Sequence, residues 1–205
     1  IQNFAKRGET PANPEREKFL YETLKSNSHL FPLAHIPLML QMILSLLEKQ
    51  SLSAKTLTDL YQTMTEELYS WNLRGKHPEE REKNFCTLGE IAYLGLQNRQ
   101  LFIPHEKVDH LISPLLLETG ILKKVEEGEK VVYHFIHLSF QEYLIAYDLF
   151  HHSEQQQTFI LNHRLDPSYQ LVFSFFAGML PSEKIPEFFE SLLQYAAFLP
   201  YCLEL

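Results

Sequence analysis

A chain of 205 residues, 45% hydrophobic and 21% charged, lies in the range of folded globular proteins and excludes intrinsic disorder. Its formal charge is −8 and its lysines and arginines are scattered, so the basic footprint that a phosphate backbone requires is missing. The two cysteines, Cys86 and Cys202, stand far apart with no CxxC or Cys/His spacing; this argues against a disulfide scaffold and a structural zinc site and fits a reducing, cytoplasmic compartment.

No signal peptide opens the chain, and its start at Ile1 leads to the expectation of a piece of a longer protein. Glu15 to Lys25 places Phe19, Leu20 and Leu24 on one helical face. Leu30 to Leu47 is apolar enough to suggest a membrane span, but Pro32, His35, Pro37 and Gln41 interrupt it and no basic cluster flanks it. The expectation is instead a buried helix from Pro37 to Glu48, ringed by Leu38, Leu40, Met42, Ile43, Leu46 and Leu47, with the proline in its tolerant first turn. Thr56 to Leu73 follows with Leu57, Leu60, Tyr61, Met64, Leu68 and Trp71 at spacings of three and four.

Arg74 to Lys83 combines charge with Gly75 and Pro78 and reads as a domain boundary. Phe85 to Leu96 is another helical stripe, in which Gly89 and Gly95 would let a neighbour approach closely. Pro104 to Leu117 predicts a short helix or pair. The period then changes: Ile121–Val125 and Lys130–Ile136 read as the strands of a hairpin around Gly128, with Tyr133, Phe135 and His137 on one face. Ser139 and Glu142 have the spacing of a capping box, which predicts a helix from Phe140 to Phe150. His151 to Ser168 is polar and mixed, and Leu171–Met179 and Ile185–Phe198 return to helical patterning. The fold class is mainly α: a helical bundle, a winged-helix domain with a small hairpin wing, then a further, superhelical segment. The expected domains are 1–73, 74–150 and 151–205.

No GxxxxGK[ST] occurs, so the chain by itself is not expected to hydrolyse a nucleotide. His105 and His110 are five apart rather than four, which turns them off a common helix face and leaves a solvated one. Neither cysteine has a partner at a catalytic spacing, and no metal ligands are expected. A winged-helix DNA-binding regulator is the alternative, as is a stand-alone helical interaction module. Against the first, the charges of Pro104–Leu117 and of the hairpin cancel. His137 is the candidate binding residue. On the residues alone, a half-buried histidine bonded to a nearby carbonyl is the commoner use of such a position, and an imidazole donor beside a helix start, suited to phosphate, the rarer.

Leu88-Gly89-Glu90-Ile91-Ala92, Gly120-Ile121-Leu122 and Tyr133-His134-Phe135-Ile136-His137-Leu138-Ser139-Phe140-Gln141-Glu142-Tyr143-Leu144-Ile145-Ala146, in that order, resemble the winged-helix region of NACHT-type NTPases, the NOD-like receptors of innate immunity. Leu30 to Leu40 is similar to the start of that family's first helical domain, Leu57-Thr58-Asp59-Leu60-Tyr61 to the helix that follows, and Phe175 to Leu180 to the opening of its second helical domain. The resemblance implies a regulatory portion of an ATP-binding NTPase, with ADP or ATP held mainly by an upstream NACHT domain. His137 would touch the β-phosphate of ADP and Pro37 the adenine side. It further implies homo-oligomerisation of the parent and a downstream leucine-rich or other sensor; the scattered basic charge argues against a nucleic-acid partner.

Overall fold

The computed structural model describes residues 14–26, 30–48, 56–128 and 130–193, and these are mainly helical with one small antiparallel sheet. The chain divides into two units, Ile1–Met64 and Thr65–Leu205. Among the described residues no helix is long and apolar enough to cross a membrane.

In the first unit, α1 (Pro14–Ser26) buries Leu24, while the side chains of Phe19 and Leu20 lie outside those described. The apolar run divides as its prolines require: α2 (Leu30–Leu33), a turn at residues 34–36, then α3 (Pro37–Glu48). The core face of α3 is Met39, Ile43 and Leu46, at spacings of four and three, with Leu44 beside it. The Tyr61 hydroxyl donates to the Met39 sulfur at 3.9 Å. α4 (Leu57–Asn72) begins with a reciprocal capping box: the Asp59 N–H donates to Thr56 Oγ1 (3.1 Å) and the Thr56 N–H to Asp59 Oδ2 (3.0 Å). Its stripe departs from expectation at Trp71, which is 71% exposed.

In the second unit, α4 ends at a left-handed turn in which Gly75 (φ 71°) donates to the Ser70 carbonyl at 2.8 Å, a helix-terminating bond. Tyr69 ties the turn down by donating to the His77 carbonyl at 2.9 Å. α5 (Arg81–Gln97) and α8 (Leu138–His151) form the principal helix pair, and α10 (Gln170–Met179) packs on α8 as well. Gly89 permits the first pairing, since a Cβ there would lie 2.4 Å from both Asp148 Cβ and the Leu144 carbonyl oxygen. α8 is therefore apolar nearly all round, burying Phe140, Tyr143, Leu144, Ile145, Ala146 and Leu149. Each such large side chain stabilises by about 1.5–3 kcal/mol relative to an exposed one.

The sheet has the order β1 (Ile103–Pro104), β3 (Lys130–Phe135), β2 (Leu122–Glu127), all antiparallel. The hairpin pairs Leu122 with Phe135 and closes at Glu127–Lys130, two residues beyond the expected Val125. β1 was not expected from the sequence. It is two residues long and contains a proline, which an edge strand tolerates because one side of it has no ladder to join. The expected helix between Pro104 and Leu117 is two short ones, α6 (His105–Val108) and α7 (Pro114–Glu118), with a single tighter turn at Asp109–Leu111. The polar stretch after residue 151 is not a linker: α9 (Ser153–His163) occupies most of it, burying Ile160. α11 (Ile185–Leu193) ends the described residues, so the expected continuation to Phe198 lies outside them.

Candidate functional site

The joint between β3 and α8 is built differently from the capping box its spacing predicts. The helix begins at Leu138, two residues early, and its N-cap is His137, in extended backbone (φ −159°, ψ 147°). His137 Nδ1 accepts the backbone N–H of Ser139 at 3.2 Å, and the Ser139 hydroxyl reaches the same nitrogen. Phe140 and Gln141 turn their N–H groups to the His137 carbonyl, at 3.1 and 3.4 Å. Ser139 is consequently a buried residue of the first turn, not the cap. Glu142 does not reach back to a backbone donor; its carboxyl is half-buried, and burial pushes it up to about 7.

This arrangement determines which atom His137 can offer a ligand. Burial holds the imidazole below the ordinary histidine pKa and therefore neutral. Because Nδ1 is an acceptor, the proton belongs on Nε2. Among the described residues nothing accepts a hydrogen bond from Nε2. The helix start contributes less to an anion than its position suggests, since three of its first four N–H groups already have partners within the turn. An anion contact here would rest on Nε2–H.

A groove of about 180 Å³ adjoins the joint, lined by Leu101, Phe102, His134, Phe135, Leu138 and Gln141. Leu101, Phe102 and Leu138 are 63%, 56% and 43% exposed, an apolar rim beside a polar joint. His134 is turned away from His137 by the strand alternation and packs edge-on to Phe102 at 5.6 Å. Pro37 is exposed at the first position of α3, in the first unit, whereas His137 belongs to the second.

The surface that a DNA-binding reading would use is broken. α6 has four residues, about 6 Å of helix, too short to lay a recognition face along a groove. His105 is not simply solvated, because it is half-buried, 3.2 Å from Asp109 Oδ1 and tilted over Tyr133.

Two groupings join residues that the linear spacing does not bring together as a set. His163 stacks on Tyr169 at 4.0 Å and its Nε2 meets the Tyr93 hydroxyl at 2.8 Å, with Phe159 against the same ring; burial holds this imidazole down as well. Cys86, Asp148 and His152 bring a thiol, a carboxylate and an imidazole within 4.8 Å of one another. His152 Nδ1 lies 2.9 Å from Asp148 Oδ1, and burial pushes the Cys86 thiol up to about 12. The i,i+4 spacing of Asp148 and His152 on a helix was the available signal; that Cys86 faces them depends on the α5–α8 crossing.

No family model and no curated protein matches the chain.

Proposed function

We propose that this chain is the regulatory part of a NACHT-type signalling NTPase, in which a winged-helix element and its flanking helices keep an ADP-bound nucleotide domain closed. The observation that carries the reading is the His137 cap. It leaves a neutral imidazole with Nε2–H as its donor at the position where the resembling family places a histidine against the ADP β-phosphate. The order of helices, hairpin and capped helix supports a winged-helix assignment for the middle of the chain. The exposed apolar rim at Leu101, Phe102 and Leu138 supports a docked neighbour beside the phosphate contact.

In this mechanism the upstream domain supplies the phosphate loop and the metal-binding carboxylates, and this chain supplies contacts made only in the closed state. By the resemblance, Pro37 and His137 would each touch the nucleotide that the upstream domain holds, Pro37 on its adenine side and His137 at its β-phosphate. Exchange of ADP for ATP removes the differential that favours closure, the domains rotate, and protomers assemble to signal in innate immunity.

The test has two parts. The coding sequence upstream of Ile1 should contain GxxxxGK[ST] within about one domain's length of 100–200 residues, and its absence overturns the reading. In the protein carrying both parts, His137→Asn should lower the ADP that co-purifies and raise basal assembly. Unchanged nucleotide content would remove His137 from the site.

A further inference from the structure

We infer that Cys86, Asp148 and His152 form a three-ligand site for a divalent transition-metal ion of zinc type. The ligands come from α5, from α8 and from the residue that follows α8, and the α5–α8 crossing is fixed. Gly89 is one turn from Cys86 on α5, and the space a Cβ would need there is filled by Asp148 Cβ and the Leu144 carbonyl oxygen. Cys86 is thereby held against the last turn of α8, where Asp148 and His152 stand one helical turn apart, and the three ligand atoms lie within 4.8 Å of one another.

The chemistry of the donors selects the ion. A thiolate, an imidazole and a carboxylate together match zinc, whereas magnesium and calcium require oxygen ligands. Three protein ligands leave a fourth position for water. The Asp148 and His152 side chains are 23% and 41% exposed, which gives the ion a way in.

The surroundings favour a cation. Glu82 acts on Cys86 and Glu90 on Asp148, adding negative charge from α5. The terminal carbonyls of α8 present the negative end of its dipole. His152 and His151 are the imidazoles that act on Asp148. Without metal, His152 Nδ1 lies 2.9 Å from Asp148 Oδ1 and the buried Cys86 thiol keeps its proton. Binding therefore exchanges protons for the ion: the thiol proton leaves to solvent, as does the second imidazole proton where His152 carries one, while Asp148 binds ionised. His152 is the single residue between α8 and α9, so the ion would pin that elbow to α5. This inference does not depend on the nucleotide reading.

Cobalt(II) titration of the 205-residue chain under reducing, anaerobic conditions tests it. About one equivalent should bind with a thiolate-to-cobalt charge-transfer band, the band should disappear on adding zinc, and zinc should raise the thermal midpoint. Cys86→Ser should lose the band and the zinc-induced rise. Asp148→Asn and His152→Ala should each weaken binding, and Cys202→Ser should change neither readout. Circular dichroism of Cys86→Ser guards against misfolding, and the single substitutions on α8 keep the test open if that variant unfolds. Absence of a thiolate band overturns the site and leaves a hydrogen-bonded cluster. So does a band that survives Cys86→Ser, or binding abolished by His77→Ala, which would place the ion at the exposed His77, Glu79 and Glu80 group instead.

Discussion

His137 Nδ1 accepts the N–H of Ser139 at 3.2 Å, so one bond both starts α8 and assigns the imidazole proton to Nε2. Long-range proton–nitrogen NMR on the chain should find Nε2 protonated and Nδ1 bare at neutral pH. A proton on Nδ1 would refute the cap. His137→Ala should cost about 1 kcal/mol in urea unfolding, while His137→Asn, which retains a capping group, should cost only a few tenths. Because burial lowers the folded pKa below the ordinary 6.5, the cap's contribution is complete above that value and is lost as pH falls toward the folded one. The gap between wild type and His137→Ala should therefore shrink as pH falls below the ordinary 6.5.

Glu142 titrates with the opposite sign. Its carboxyl is raised to about 7 by burial, so its proton-bound form stabilises the fold at low pH and that contribution disappears as pH rises through 7. Glu142→Gln should raise the thermal midpoint at pH 8 and leave it nearly unchanged at about pH 3, below the unfolded carboxylate range. Equal effects at both pH values would mean that the carboxyl is already satisfied when ionised.

Gly89→Ala should be far more damaging than its helical position implies. Alanine gains about 1 kcal/mol over glycine in an isolated helix. Here its Cβ would stand 2.4 Å from the backbone oxygen of Leu144, which cannot move without shifting α8. Overpacking of this kind costs about 1–3 kcal/mol or more. Gly95→Ala is the comparison, because its nearest atoms, Gln141 Nε2 and Ile103 Cδ1 at 2.8 Å, are side-chain ends rather than backbone, and yielding costs at most the 2.8 Å bond from Gln141 to the Ala92 carbonyl. Chemical denaturation should rank Gly89→Ala well below Gly95→Ala.

Tyr69→Phe removes one hydroxyl and disturbs three elements. That hydroxyl donates to the His77 carbonyl at 2.9 Å and accepts from Asn84 Nδ2 at 3.0 Å, with Asn84 buried at the start of α5. The orphaned amide should cost about 1–3 kcal/mol in the unfolding midpoint. The double variant Tyr69→Phe/Asn84→Leu should recover part of the loss, since no unpaired donor then remains.

How far local pattern reaches is clear from two four-residue segments with a capping-box spacing. At Thr56–Asp59 both reciprocal bonds form. At Ser139–Glu142 neither does, because His137 lies two residues earlier, has an acceptor nitrogen within reach, and takes the cap. Spacing identifies groups that could bond; the direction in which β3 delivers the chain decides which one does. Trp71 is a similar case: it lies on the right helical period, yet 71% of it is exposed, because the period marks a face and not its cover.

Helical character, the hairpin, the use of Pro37 to open α3 and the role of Gly89 in a close helix approach are all legible in the order of residues. Each follows from period, turn chemistry or side-chain size acting within a few residues. Tertiary structure alone decided the tautomer of His137, the two-residue edge strand at Ile103–Pro104, and the meeting of Cys86 with Asp148 and His152. These depend on where separate elements are brought together. A cysteine 62 residues from its carboxylate partner carries no spacing signal, and only the α5–α8 crossing sets them side by side.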